Sequence, residues 1–145
     1  MELKILNSKE IKSLLAQIEE QFEAKLDKNY VFLNNNDRIY IVTKKISKID
    51  FSKLRMNSLG MYIGTIEKDG FRPSIEGSQL IGKTAKKNIV KVNPINWLQG
   101  KQIDIEHANS YVLIKYENDF LGSGKIKNNI LLNYVPKERR LNLNA

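Results

Sequence analysis

Apolar residues recur behind Asn7 at Ile11, Leu14, Leu15, Ile18, Phe22 and Leu26, the spacing of one helical face, while Lys12, Glu19, Glu20, Glu23 and Lys25 lie off it. Asn7-Ser8-Lys9-Glu10 has the form of a capping box, so the pattern predicts an amphipathic helix of about four turns starting at Asn7. Its polar face is acidic, which suits packing on a sheet and not adsorption to a membrane. Two β-rich runs follow, Tyr30 to Leu33 and Ile39 to Val42, joined by Asn34-Asn35-Asn36-Asp37. Asparagine and aspartate tolerate positive φ, so this reads as a hairpin. Lys44 to Arg55 is basic and weakly periodic, a short helix or connector, and the best place for a boundary.

From Leu59 the rhythm changes to short strands broken by turns. Met61 to Glu67 reads as a strand ending at Asp69-Gly70, and Arg72-Pro73 as the start of a short helix that Gly82 terminates. Asn88 to Val92 reads as a strand and Pro94 to Gly100 as one helical turn carrying Trp97. Tyr111 to Tyr116 and Phe120 to Lys127 pair around Asn118-Asp119, and Ile130 to Val135 follows the Asn128-Asn129 turn. The expectation is an α+β chain: a small α/β N-terminal lobe over residues 1–56, then a partly closed mixed β-barrel with short helices over 57–145.

Composition narrows the chemistry. The 145 residues include no cysteine and one histidine, His107, which excludes thiolate nucleophiles, disulfides and cysteine-built metal or redox sites. No metal site, cofactor or serine triad is expected. The longest apolar runs are four residues, and Met1-Glu2-Leu3-Lys4 has no secretory pattern, so a cytoplasmic protein without a membrane span is expected. The formal charge of +8 is uneven. Residues 77–103 carry Lys83, Lys86, Lys87, Lys91 and Lys101 with no acid, and residues 122–145 carry Lys125, Lys127, Lys137, Arg139 and Arg140 against Glu138. Such blocks fit a surface that tracks a phosphate backbone, or else a solvated lysine-rich surface.

The most specific stretch is Leu121-Gly122-Ser123-Gly124-Lys125-Ile126-Lys127, continuing through Asn133-Tyr134-Val135-Pro136-Lys137-Glu138-Arg139-Arg140. It resembles the PUA-like RNA-binding module beside the catalytic domain of Sun-family RNA cytosine-C5 methyltransferases. Leu59 to Gly64, Gly70-Phe71-Arg72-Pro73-Ser74 and Trp97-Leu98-Gln99-Gly100-Lys101 resemble, in order, that module's opening glycine strand, helix start and short helix. The resemblance covers roughly residues 59–140 and departs from the pattern at Ser123, Leu132 and Val135. It implies a PUA-like fold that holds RNA along a glycine-and-helix edge, at Arg72, Ser74, Lys83, Gly122, Gly124, Lys125, Lys127, Tyr134, Lys137, Arg139 and Arg140.

The residues allow two readings at several of these positions. Gly122 and Gly124 either open a strand face to a ligand or relieve crowding at a barrel bend. Tyr134 either stacks on a base or is buried with Ile130 and Leu132. Lys137, Arg139 and Arg140 either meet phosphates or form a frayed tail. Tyr111, Tyr116, Phe120 and Trp97 read as core or half-buried, and His107 as a surface loop residue.

The methyltransferase chemistry does not carry over, because that family uses cysteine nucleophiles and a glycine-rich cofactor loop, both missing from these residues. The expected function is non-catalytic binding of structured rRNA or tRNA in ribosome biogenesis or RNA modification. The alternative is a protein-interaction adaptor for an RNA-modification enzyme or ribosome-assembly protein. A small hydrolase on a related barrel is a third class, without a residue pairing to support it.

Overall fold

A computed structural model describes residues 3–42 and 60–141. The stretch from Lys44 to Arg55, expected to form a short helix or connector, lies outside the described residues, as does Leu59. Strand β1 (Leu3–Ile5) precedes helix α1 (Ser8–Phe22). The Asn7 side chain accepts from the Glu10 N–H at 2.9 Å, and Glu10 accepts from the Asn7 N–H at 3.1 Å, completing the capping box. The helix stops a turn before Leu26, because Glu23 adopts a left-handed φ of 48° and its N–H closes on Glu19 O.

The first sheet has the order β1, β2 (Val31–Asn35), β3 (Arg38–Val42), β4 (Met61–Glu67), β5 (Gly70–Pro73), with every neighbour antiparallel. Asn36 and Asp37, at φ 51° and 70°, make the tight turn between β2 and β3 that their side chains suggest. Strand β1 has three residues, all exposed, too short for any alternation to announce it. The expected division after residue 56 falls outside the described residues, and β3 and β4, on either side of it, pair within this one sheet.

Arg72-Pro73 does not begin a helix, as its sequence suggests. The ladder holds Arg72 opposite Thr65 and Pro73 opposite Gly64, so the proline closes β5. Ser74 is instead the N-cap of α2 (Ile75–Gly82), its Oγ accepting from Gly77 N–H at 2.9 Å.

The second sheet is built from β6 (Ile89–Lys91), β7 (Ile103–Asp104), β8 (Ser110–Tyr116), β9 (Asp119–Lys127) and β10 (Ile130–Asn133), in the spatial order β6, β8, β9, β10, β7. Helix α3 (Pro94–Leu98) follows β6, which alone in this sheet pairs in parallel, with β8. The β8–β9 turn lies at Glu117-Asn118, with φ 53° at Glu117, one residue earlier than its sequence suggests. With three α-helices and two sheets among the described residues, one of the sheets a curled half-barrel, the architecture is α+β of the PUA-like kind.

Strand β8 joins the two layers. Its run Tyr111-Val112-Leu113-Ile114 is buried throughout. Tyr111 and Leu113 pack with α1, Phe32, Phe71 and Ile81, whereas Val112 and Ile114 pack with Trp97, Ile126 and Leu131. An uninterrupted apolar run is what a strand covered on both faces requires.

Candidate nucleic-acid interface

Cross-strand register aligns Arg38 with Thr65, and Thr65 with Arg72, so β3, β4 and β5 carry the three residues abreast on one face. Two strand spacings separate the arginines by about 10 Å. Facing them is the C-terminal segment: Tyr134, Pro136, and a short 3-10 helix, Lys137–Arg139. Between the walls lies a groove of about 400 Å³, floored by Pro73, Ile75, Gly122 and Ser123. Ser123 Oγ, buried, donates to Pro73 O at 2.6 Å and fastens β9 to the end of β5 beneath it.

Five of the positions singled out from sequence meet here: Arg72, Ser74, Gly122, Tyr134 and Arg139. The Arg72 guanidinium sits 4.9 Å from the Tyr134 ring centroid while its Nε donates to Glu67 at 3.1 Å. Tyr134 is 38% exposed, so the open alternative resolves toward an accessible ring. Arg139 Nη1 donates to Glu76 Oε1 at 2.9 Å. Both ion pairs are partly solvated, so neither is strongly bound. Ser74 contributes position and not a free hydroxyl, since its Oγ also donates to Tyr62 O at 2.7 Å.

The two glycines of β9 are closely packed. Gly122 lies at a β-bulge, where Ile114 pairs with Gly122 and Lys115 with Phe120, leaving Leu121 unpaired. Its φ is 124°, and a Cβ there would come 3.3 Å from Ile75 of α2. A Cβ at Gly124 would meet Leu131 at 2.7 Å, Leu132 O at 2.8 Å and Trp97 at 3.0 Å. At Gly124 the side-chain space is thus filled by β10 and α3, while Gly122 packs near Ile75 of α2 and also lines the groove.

The remaining positions scatter. Lys125 Nζ is bound by Asp69 and lies 5.4 Å from the Tyr111 ring centroid. Asp69 holds the Lys125 ammonium above its ordinary pKa, and is itself held low by hydrogen bonds from Lys125 and then Tyr111. Lys127 ends β9 and is exposed, as is Lys137. Arg140 turns back, its Nε donating to Val135 O at 2.9 Å. Lys83 caps the far end of α2. Tyr111, Phe120 and Trp97 are buried, as expected, while Tyr116 is exposed. His107 Nδ1 contacts Ala108 O at 2.7 Å in a loop.

Sequence reasoning missed Arg38, Tyr62 and Glu76. Arg38 has no basic neighbour in sequence, and only the pairing of three strands carries it to α2. Among the described residues no group of three or more His, Asp or Glu could hold a metal ion, and no helix is long and apolar enough to cross a membrane.

Comparison with known proteins extends the resemblance read over residues 59–140. Residues 93–141 match the family described as the methyltransferase RsmF PUA domain. Residues 2–75 match the family described as the NIP7/UPF0113 pre-PUA domain, a likeness the N-terminal sequence did not suggest. The chain is also 24% identical over 138 residues to ribosomal RNA small subunit methyltransferase F of Aeromonas salmonicida (strain A449), covering 92% of this chain. It spans 28% of the length of that relative.

Proposed function

For a chain that belongs to the NIP7/UPF0113 pre-PUA domain family and carries a PUA domain similar to that of RsmF behind it, we propose non-catalytic binding of structured RNA, with rRNA the leading substrate. The observation that carries this reading is the groove, whose lining includes Arg38, Arg72 and Arg139 together with an accessible tyrosine ring, Arg72 lying against that ring. Guanidinium groups suit phosphate oxygens geometrically, and an exposed ring offers a stacking face to an unpaired base. Glu67 and Glu76 orient two of the arginines before RNA arrives. The groove draws Arg38 from β3 and its other lining residues from Tyr62 onward, so on this reading both segments are needed to bind. The relative's name, a methyltransferase of small-subunit ribosomal RNA, supports a place in ribosome biogenesis or RNA modification.

The test is a filter-binding titration of the whole chain with structured rRNA fragments across a salt series. Wild type is expected to show a steep negative slope of log K against log salt. Arg38→Ala and Arg72→Ala should each flatten it by about 0.7–0.9, and Tyr134→Ala should weaken binding without changing the slope. A wild-type protein with no salt-dependent affinity for any fragment overturns the reading.

A further inference from the structure

The cations of the groove are largely paired, Arg72 with Glu67 and Arg139 with Glu76, and Lys125 nearby with Asp69. The acid-free stretch over 77–103 is different: among the described residues none of its lysines takes part in an ion pair. The fold brings part of it together with β8. In the parallel ladder Lys91 stands directly opposite Lys115, like charges at cross-strand contact, an arrangement that costs stability when nothing neutralises it.

Two lysines, Lys83 and Lys115, share one concavity with an aromatic ring. Lys115 Nζ lies 5.3 Å from the Phe120 ring centroid. A Cβ at Gly82 would come 2.4 Å from the same ring, so the end of α2 is pressed against it, and Lys83 follows at once. Lys83, Lys115 and Phe120 line one shallow concavity with Gln79 and Asn118. Asp119 is the acid in that lining, Glu117 lies in the adjoining turn, and neither forms an ion pair among the described residues.

Leu121, the unpaired residue of the β9 bulge, lines both this concavity and the arginine groove. Helix α2 runs between them, its first turn at the groove and its last at the lysines, a span of eight residues, or about 12 Å.

We propose that Lys83 and Lys115, beside Phe120 at the end of α2, together with Lys91 opposite Lys115 in the ladder, form a second phosphate-binding face on which the RNA backbone continues past the groove. The inference rests on the RNA-binding reading above. It assigns the two ends of the bound RNA different chemistry: guanidinium and ring contacts at the start of α2, and point-charge phosphate contacts at its end. It also accounts for an unrelieved lysine pair, since a polyanion supplies the counter-charge that the protein does not.

The experiment compares salt slopes for one structured rRNA fragment that wild type binds. The triple variant Lys83→Gln, Lys91→Gln, Lys115→Gln should flatten the slope by about 2–3, while Lys12→Gln on the exposed face of α1 leaves it unchanged. Asp119→Asn should tighten binding at low salt. Thermal unfolding should show the triple variant at least as stable as wild type, because repulsion between Lys91 and Lys115 is removed. A steep wild-type slope that the triple variant retains overturns this face and leaves the groove standing, and points to an acidic protein as its occupant. Absence of any salt-dependent wild-type binding overturns both. A loss per charge removed that is no larger than that of Lys12→Gln overturns the face as well, since net charge alone then explains it.

Discussion

Tyr111 donates its phenolic hydrogen to Asp69 Oδ1 at 2.8 Å, tying β8 to the turn between β4 and β5. Lys125 reaches the other carboxylate oxygen, so one aspartate on the first sheet holds two neighbouring strands of the second. Burial, and then Asp69, push the Tyr111 hydroxyl well above its usual pKa, so the bond stays intact through neutral and mildly alkaline pH.

The sign of the acid dependence follows. The Asp69 carboxyl titrates lower in the folded protein than in the unfolded chain. Its contribution is therefore complete above the ordinary aspartate value, near pH 4, and is lost as pH falls through the depressed one. Urea midpoints measured between pH 2 and 7 should fall on the acid side in wild type, with a shallower fall in Asp69→Asn. Tyr111→Phe should cost about 1 kcal/mol at neutral pH, the worth of one hydrogen bond. An identical acid limb in wild type and Asp69→Asn would refute the tie.

Gly124→Ala separates packing from ligand approach. The added methyl meets the Leu132 carbonyl as well as Leu131 and Trp97, and backbone gives way less easily than a side chain. The expected loss is about 1–3 kcal/mol in a denaturant titration. Below the new midpoint, the salt slope for RNA should equal that of wild type. A stable variant with impaired RNA binding would return the glycine ribbon to the interface.

Local chemistry was legible where it is self-contained. Asn7 and Glu10 announced the start of α1, and Asn36-Asp37 and Asn128-Asn129 announced turns, because caps and positive φ are decided within four residues. Tyr111 to Tyr116 read as a strand, and its first four residues are buried. Arg72-Pro73 misled because proline suits both a first helical turn and a strand's last residue, and only the pairing with Thr65 and Gly64 decides between them. The site was half legible for the same reason. Tyr134 and Arg139 are close in sequence, but Arg38 joins them through a ladder of three strands, a relationship no local spacing encodes.

Ser74→Ala tests whether that residue positions or binds. Its hydroxyl is occupied twice, accepting from Gly77 and donating to Tyr62 O, and α2 depends on it for its first turn. A loss of about 1 kcal/mol is expected in thermal or urea unfolding. RNA affinity measured well below the transition should change less than threefold, with the salt slope preserved. A stable variant that loses most of its affinity would place the hydroxyl on the ligand.

Glu76→Gln turns the groove's electrostatics into a gain of function. Glu76 holds Arg139 across the mouth of the groove, and both side chains are close to half exposed, so the pair adds little to stability. Neutralising the carboxylate leaves Arg139 in place with its charge uncompensated and removes a repulsion that any approaching phosphate must overcome. Affinity for structured RNA at low salt should rise severalfold, and the advantage should shrink toward high salt as screening sets in. Combining Glu76→Gln with Arg139→Ala should remove most of the gain, because the effect requires the freed guanidinium. If Glu76→Gln weakens binding instead, the ion pair is itself the form that receives the RNA, and Arg139 acts by staying fixed on its partner.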